Sequence, residues 1–96
     1  MTNQQITDAQ EIEDLEVETL NAILKGEKVK VIKLLGKVEY LFNKSSDYTR
    51  SLIANKFIFP LTQLLEMNYS WGCEYLNLFP SQLKAEYRRQ INSSGI

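Results

Sequence analysis

Arg50-Ser51-Leu52-Ile53-Ala54-Asn55-Lys56-Phe57-Ile58-Phe59-Pro60-Leu61-Thr62-Gln63-Leu64-Leu65 sets the architecture of the chain. At about 100° per residue, Ile53, Ala54, Phe57, Leu61, Leu64 and Leu65 share one helix face. Tyr48, Leu52 and Phe59 fall nearly opposite. A helix that is apolar on two sides lies between layers, so this segment is expected to be central and buried. Pro60 interrupts it. Proline has no backbone N–H for the carbonyl four residues back, here that of Lys56, and its ring crowds that oxygen. A kink or a break is expected there.

Upstream, Ile12, Leu15, Leu20 and Ile23 recur at helical spacing, with Leu24 at the edge of the stripe. Thr7 with Gln10, and Asp8 with Glu11, have the form of capping boxes, so a first helix is expected to start near Thr7 or Asp8. Gly26 suits the left-handed residue that ends it. Glu27 to Phe42 is predicted as a second helix, with Val31, Ile32, Leu35, Val38 and Phe42 on one face. Gly36 inside it costs about 1 kcal/mol relative to alanine, and close packing against a neighbour is the expected reason. So short a connection makes the two helices an antiparallel hairpin.

Downstream, Met67 to Trp71 reads as a turn with Asn68 and Ser70 as candidate caps, followed by a short helix over 70–77. Phe79-Pro80-Ser81 opens a last helix, whose inner stripe is Leu83, Tyr87 and Ile91. The predicted fold is all-α: a compact four- to five-helix bundle with an N-terminal antiparallel helical hairpin packed on a central Pro-kinked helix. No linker or repeat divides it, so residues 1–96 are expected to form a single helical domain, frayed at 1–6 and 92–96.

Composition narrows the function. The chain has 96 residues, is 44% hydrophobic, and contains no histidine and one cysteine. A lone Cys73 excludes an internal disulfide and a cysteine-cluster zinc site. Without histidine, the usual general base and the commonest transition-metal ligand are both missing. The four glycines are too far apart for a phosphate-cradling loop. Cys73 follows Gly72 in apolar surroundings and is expected to be a buried, inert thiol. Carboxylate pairs such as Glu13 with Glu16 lie on a helix with no visible pocket. These residues point away from an enzyme, a cofactor or a bound metal. No run approaches the roughly 20 apolar residues that span a bilayer. Met1 to Gln10 is polar and lacks the pattern of a secretory signal, so a cytoplasmic protein is expected.

The formal charge of −1 conceals a polarised chain. Residues 1–24 hold six acids (Asp8, Glu11, Glu13, Asp14, Glu16 and Glu18) and no base. Residues 25–50 hold Lys25, Lys28, Lys30, Lys33, Lys37, Lys44 and Arg50 against Glu27, Glu39 and Asp47. Glu11, Asp14 and Glu18 form an acidic stripe opposite the apolar face of helix one, suited to a basic partner. Lys30, Lys33, Lys37 and Lys44 form a basic stripe on helix two. Lacking adjacent arginine and aromatic interleaving beyond Tyr40, that stripe argues weakly for nucleic acid. In the hairpin, Glu18 should lie near the level of Lys30 and Glu11 near that of Lys37. All ten aromatic residues fall within 40–87. Tyr69, Trp71 and Tyr75 sit near a turn, where such side chains commonly anchor protein interfaces.

The second half also resembles a known kind of protein. Arg50 to Ile58, then Leu61, Leu64-Leu65, Leu78-Phe79-Pro80, Leu83 and Tyr87, is similar to a pattern in small all-helical immunity proteins of bacterial contact-dependent and other polymorphic toxin systems. The likeness covers about residues 48–91, and Pro60 departs from it. It implies a protein that binds one cognate toxin domain and blocks it. Many such toxins are nucleases with basic grooves, so Glu11, Asp14 and Glu18 would face toxin lysines and arginines. Two alternatives stand beside it: a homo-oligomeric helical adaptor using spare apolar faces, and a small nucleic-acid-binding regulator using the lysine stripe.

Overall fold

The computed structural model describes residues 2–94, and the side chains of residues 9–92. Helix α1 (Thr2–Leu24) begins before the expected start, and the side chains of Thr7 and Asp8 lie outside the described residues. Its inward face is Ile12, Leu15, Thr19, Ala22 and Ile23, whereas Leu20 is half-buried. The buried Thr19 hydroxyl donates to the Leu15 carbonyl at 2.7 Å, so its burial leaves no unpaired polar group. Gly26 ends the helix at φ 74°, as expected. The Glu27 N–H reaches back to the Ala22 carbonyl and the Gly26 N–H to that of Ile23, which closes a Schellman turn.

Helix α2 (Lys28–Lys44) then returns antiparallel to α1. It buries Val31, Leu34, Leu35, Val38 and Phe42. Leu34 therefore takes the place expected for Ile32, which is 50% exposed. Gly36 is also exposed, and a Cβ built on it would meet nothing within 4 Å. Close packing within the chain is thus not the reason for this glycine.

Pro60 neither breaks the central helix nor leaves it regular. Helix α3 (Asp47–Ile53) runs into a π-helical turn (Ala54–Ile58) and on into α4 (Phe59–Met67). Ile53, Ala54, Ile58 and Phe59 all keep right-handed helical angles, so the rod continues from 47 to 67. The Phe59 N–H bonds the Ala54 carbonyl five residues back. Widening the turn just before proline places Pro60 in the first turn of α4, where a missing donor is tolerated. The extra residue also resets the phase of the helix. Ile58 joins Ile53, Ala54, Phe57, Leu61, Thr62 and Leu65 in the interior. Phe59 and Tyr48 point outward, 51% and 49% exposed, so the second apolar side expected of this helix is largely solvent-facing.

A single residue, Asn68, separates α4 from α5 (Tyr69–Leu76). Its side-chain Nδ2 donates to the Leu64 carbonyl at 3.0 Å, while its own carbonyl accepts the Gly72 N–H at 2.7 Å. Asn68 therefore closes one helix and opens the next. The sharp turn folds α5 onto α4 at Gly72, where a Cβ would stand 2.1 Å from the Leu65 carbonyl oxygen. Helix α6 (Ser81–Ser94) packs against α2, the π turn and α4. Glu39 of α2 accepts the Gln82 N–H at 2.9 Å, capping the positive end of α6 from a neighbouring helix. Gln90 of α6 donates to the Ala54 carbonyl at 3.0 Å, tying it to the π turn.

The expected helical bundle is what forms: an all-α structure whose hairpin lies on the central rod. The core joins Ile12, Leu15 and Ile23 of α1 to Leu35 and Val38 of α2, Phe57 and Leu61 of the rod, and Leu83 of α6. Each such side chain contributes about 1.5–3 kcal/mol by leaving water. The thinnest extent is 19 Å, two helices deep at interaxial distances of about 8–10 Å. The outer side of the hairpin, with Val17, Leu24, Val29 and Tyr40 exposed, is a free surface.

The two internal glycines should respond oppositely to one methyl group. Gly72→Ala drives a Cβ into backbone and is expected to cost about 3 kcal/mol. Gly36→Ala fills open space on a helix and should stabilise by up to about 1 kcal/mol. Urea denaturation of both variants measures the pair.

Candidate functional site

The acidic stripe is present on α1. Glu11, Asp14 and Glu18 are exposed along one side of the helix, because the inward positions Ile12, Leu15, Thr19 and Ala22 fix its rotation. Glu18 lies 3.9 Å from Lys30, the level expected of the hairpin. Asp14 accepts a hydrogen bond from Gln10 at 3.0 Å. Among the described residues, Glu11 and Asp14 have no ion-pair partner. Glu13 points to the other flank of α1, 3.7 Å from Lys56 on the π turn. Burial pushes the neighbouring Glu16 carboxyl above its ordinary pKa.

Glu11 also borders a cleft at the end of the hairpin away from Gly26. Ile12, Tyr40, Leu41, Lys44, Ser45 and Thr49 complete its wall, so three helices contribute to it. Lys44 lies 4.8 Å above the Tyr40 ring and donates to the Tyr40 hydroxyl at 3.0 Å. The rest of the basic stripe, Lys30, Lys33 and Lys37, is exposed on α2. Among the described residues, Lys33 and Lys37 make no ion pair.

The expected aromatic group divides. Tyr69 and Trp71 are exposed at the start of α5, 63% and 38%. Tyr75 is not: at 6% exposure it belongs to the core, which corrects its place in a binding surface. Its ring packs edge-on beneath Trp71, with centroids 6.5 Å apart, and so supports that anchor from below. The acids stand on α1 and the two exposed aromatics on α5. The link is Lys28, after the hairpin turn, which pairs with Glu74 of α5. Cys73 is half-buried rather than buried.

Sequence reasoning missed a second groove. Phe59, Gln63 and Glu66 of α4 line it on one side, and Tyr87 and Ile91 of α6 on the other. Phe59 reaches it from the outer side of the rod, where its helical-wheel position opposite Ile53 and Phe57 already places it. Tyr87 donates its hydroxyl to Glu66 there. Burial and that carboxylate push its pKa up to about 12. Lys44 has the reverse effect on Tyr40, holding that phenol below its usual value.

These environments separate two tyrosine titrations. Tyr40 should ionise well before Tyr87, followed by absorbance near the phenolate band. Tyr40→Phe then removes a step from the lower part of the curve and Tyr87→Phe one from near pH 12. The Tyr87 pKa is raised on folding, so the stability it confers is complete below about pH 10 and lost as pH rises towards about 12. In wild type, the alkaline limb of denaturation should fall more steeply over that window than in Tyr87→Phe.

No described helix is long and apolar enough to cross a membrane. Comparison with curated proteins and with solved structures gives no match. A family model described as Domain of unknown function (DUF7674) matches residues 3–93. With the match running from α1 into α6, the chain belongs to the DUF7674 family.

Proposed function

We propose that this domain is a cytoplasmic protein-binding module that neutralises a cognate bacterial toxin by direct contact, in the manner of the immunity proteins its second half resembles. The observation that carries the reading is the exposed acidic side of α1, where Glu11 and Asp14 have no ion-pair partner among the described residues. Unmatched carboxylates on a rigid helix suit a partner with a basic groove, such as a nuclease toxin. They raise the rate of encounter and fix its orientation. Tyr69 and Trp71 add the amphipathic contact area typical of interface anchors, and Tyr75 holds Trp71 in place. Binding, rather than catalysis, is the role assigned to this surface.

Co-expression with the toxin domain encoded next to this gene tests the reading. The chain should protect the cells and co-purify with the toxin at 1:1. Reversing the acids in an E11K/D14K variant should weaken the complex by about tenfold or more and flatten its salt dependence, with helicity unchanged. Trp71→Ala should act mainly on the dissociation rate. Full protection by a chain that never associates with the toxin would sink the proposal.

A further inference from the structure

The hairpin carries unmatched charge of both signs on neighbouring helices. Glu11 and Asp14 of α1, and Lys33 and Lys37 of α2, are exposed and in no ion pair among the described residues. Apolar side chains interrupt them on the same two helices. Val17 and Leu24 of α1 are 52% and 62% exposed, and Val29, Ile32 and Tyr40 of α2 are 70%, 50% and 62% exposed. We propose that this face is a docking surface for a second copy of the chain. The copies pair about a twofold axis parallel to the hairpin, so that α1 of each lies over α2 of the other.

The register supports that occupant. Glu18 and Lys30 lie 3.9 Å apart and mark one level of the antiparallel pair. Four residues back along α1 and four forward along α2 both move about 6 Å in the same direction. Asp14 is therefore level with Leu34, beside Lys33, and Glu11 is level with Lys37. Rotation about an axis parallel to the helices preserves every level while exchanging α1 for α2. Asp14 of one copy then faces Lys33 of the other and Val17 falls between Val29 and Ile32, while Glu11 and Lys37, on the flank that α1 and α2 share, lie level at the edge of the seam. A single symmetry operation pairs the charges and covers the apolar residues, as a closed isologous dimer requires. An acidic or a basic hairpin face alone would repel its own copy.

This inference needs only the purified chain and is independent of the toxin reading. Sedimentation equilibrium at low salt should give a dimer whose dissociation constant rises about tenfold or more as salt screens the pairs. Two charge-reversed variants sharpen the test. E11K/D14K sets lysine against lysine at both paired levels and K33E/K37E sets carboxylate against carboxylate, so each should be monomeric alone with unchanged helicity. Mixed at equal concentration, they should form a heterodimer, because at both levels lysine then meets carboxylate. A wild-type chain that stays monomeric at high concentration and low salt overturns the proposal. So does a variant that dimerises alone, or a mixture that stays monomeric.

Discussion

Proline at position 60 has no proton for the carbonyl of Lys56, and the layout of the molecule depends on how the chain accommodates that. A regular α-helix through 47–67 would set a bulky ring against a backbone oxygen, at about 3 kcal/mol or more. The π turn at Ala54–Ile58 removes the conflict by inserting one residue, with the Phe59 N–H bonding Ala54. The inserted residue lets Phe57 and Ile58, adjacent in sequence, both reach 0% exposure. It leaves Phe59 in solvent beside Tyr87 and Ile91. The widened turn is also a contact point: Gln90 of α6 reaches the Ala54 carbonyl, and Lys56 reaches Glu13 of α1. A local backbone problem thus sets which residues of the rod turn inward and where α1 and α6 touch it.

Much of the architecture is written in residues whose meaning is local. Gly26 needs a left-handed backbone, and its position placed the hairpin turn correctly. The inward faces of α1 and α2 follow helical periodicity, and the level of Glu18 with Lys30 follows from the short connection. Legibility fails where a distant element decides. Leu34 rather than Ile32 is buried because Leu34 lies on the flank of α2 beside Lys30, which turns towards α1, whereas Ile32 lies on the opposite flank. Gly72 carries no sign in its neighbours that the Leu65 backbone comes within reach, since that approach follows from the one-residue turn at Asn68.

The candidate surface divides along the same line. The acidic stripe was legible because exposure on α1 is the complement of a strong apolar period. The aromatic group was only partly so. Tyr69, Trp71 and Tyr75 sit within seven residues, and a wheel cannot say which of them the helix turns inward until α5 is placed on α4. Placement buries Tyr75 and makes it the support for Trp71. The outward Phe59 lies where the wheel places it, whereas the burial of Ile58 depends on the π turn, a rearrangement that no 3.6-residue period contains.

A basic partner and a second copy would compete for the same carboxylates. Glu11 and Asp14 can meet the lysines of a second hairpin or those of a foreign groove, but not both at once. The solvent-exposed pairs of the self-dimer are each worth under about 1 kcal/mol, so a larger interface anchored by Trp71 would displace the second copy readily. Self-association would then hold the apolar hairpin residues out of water until such a partner arrives. On this view the near-zero net charge reflects two stripes kept apart on adjacent helices, complementary to each other across copies and to a basic surface elsewhere.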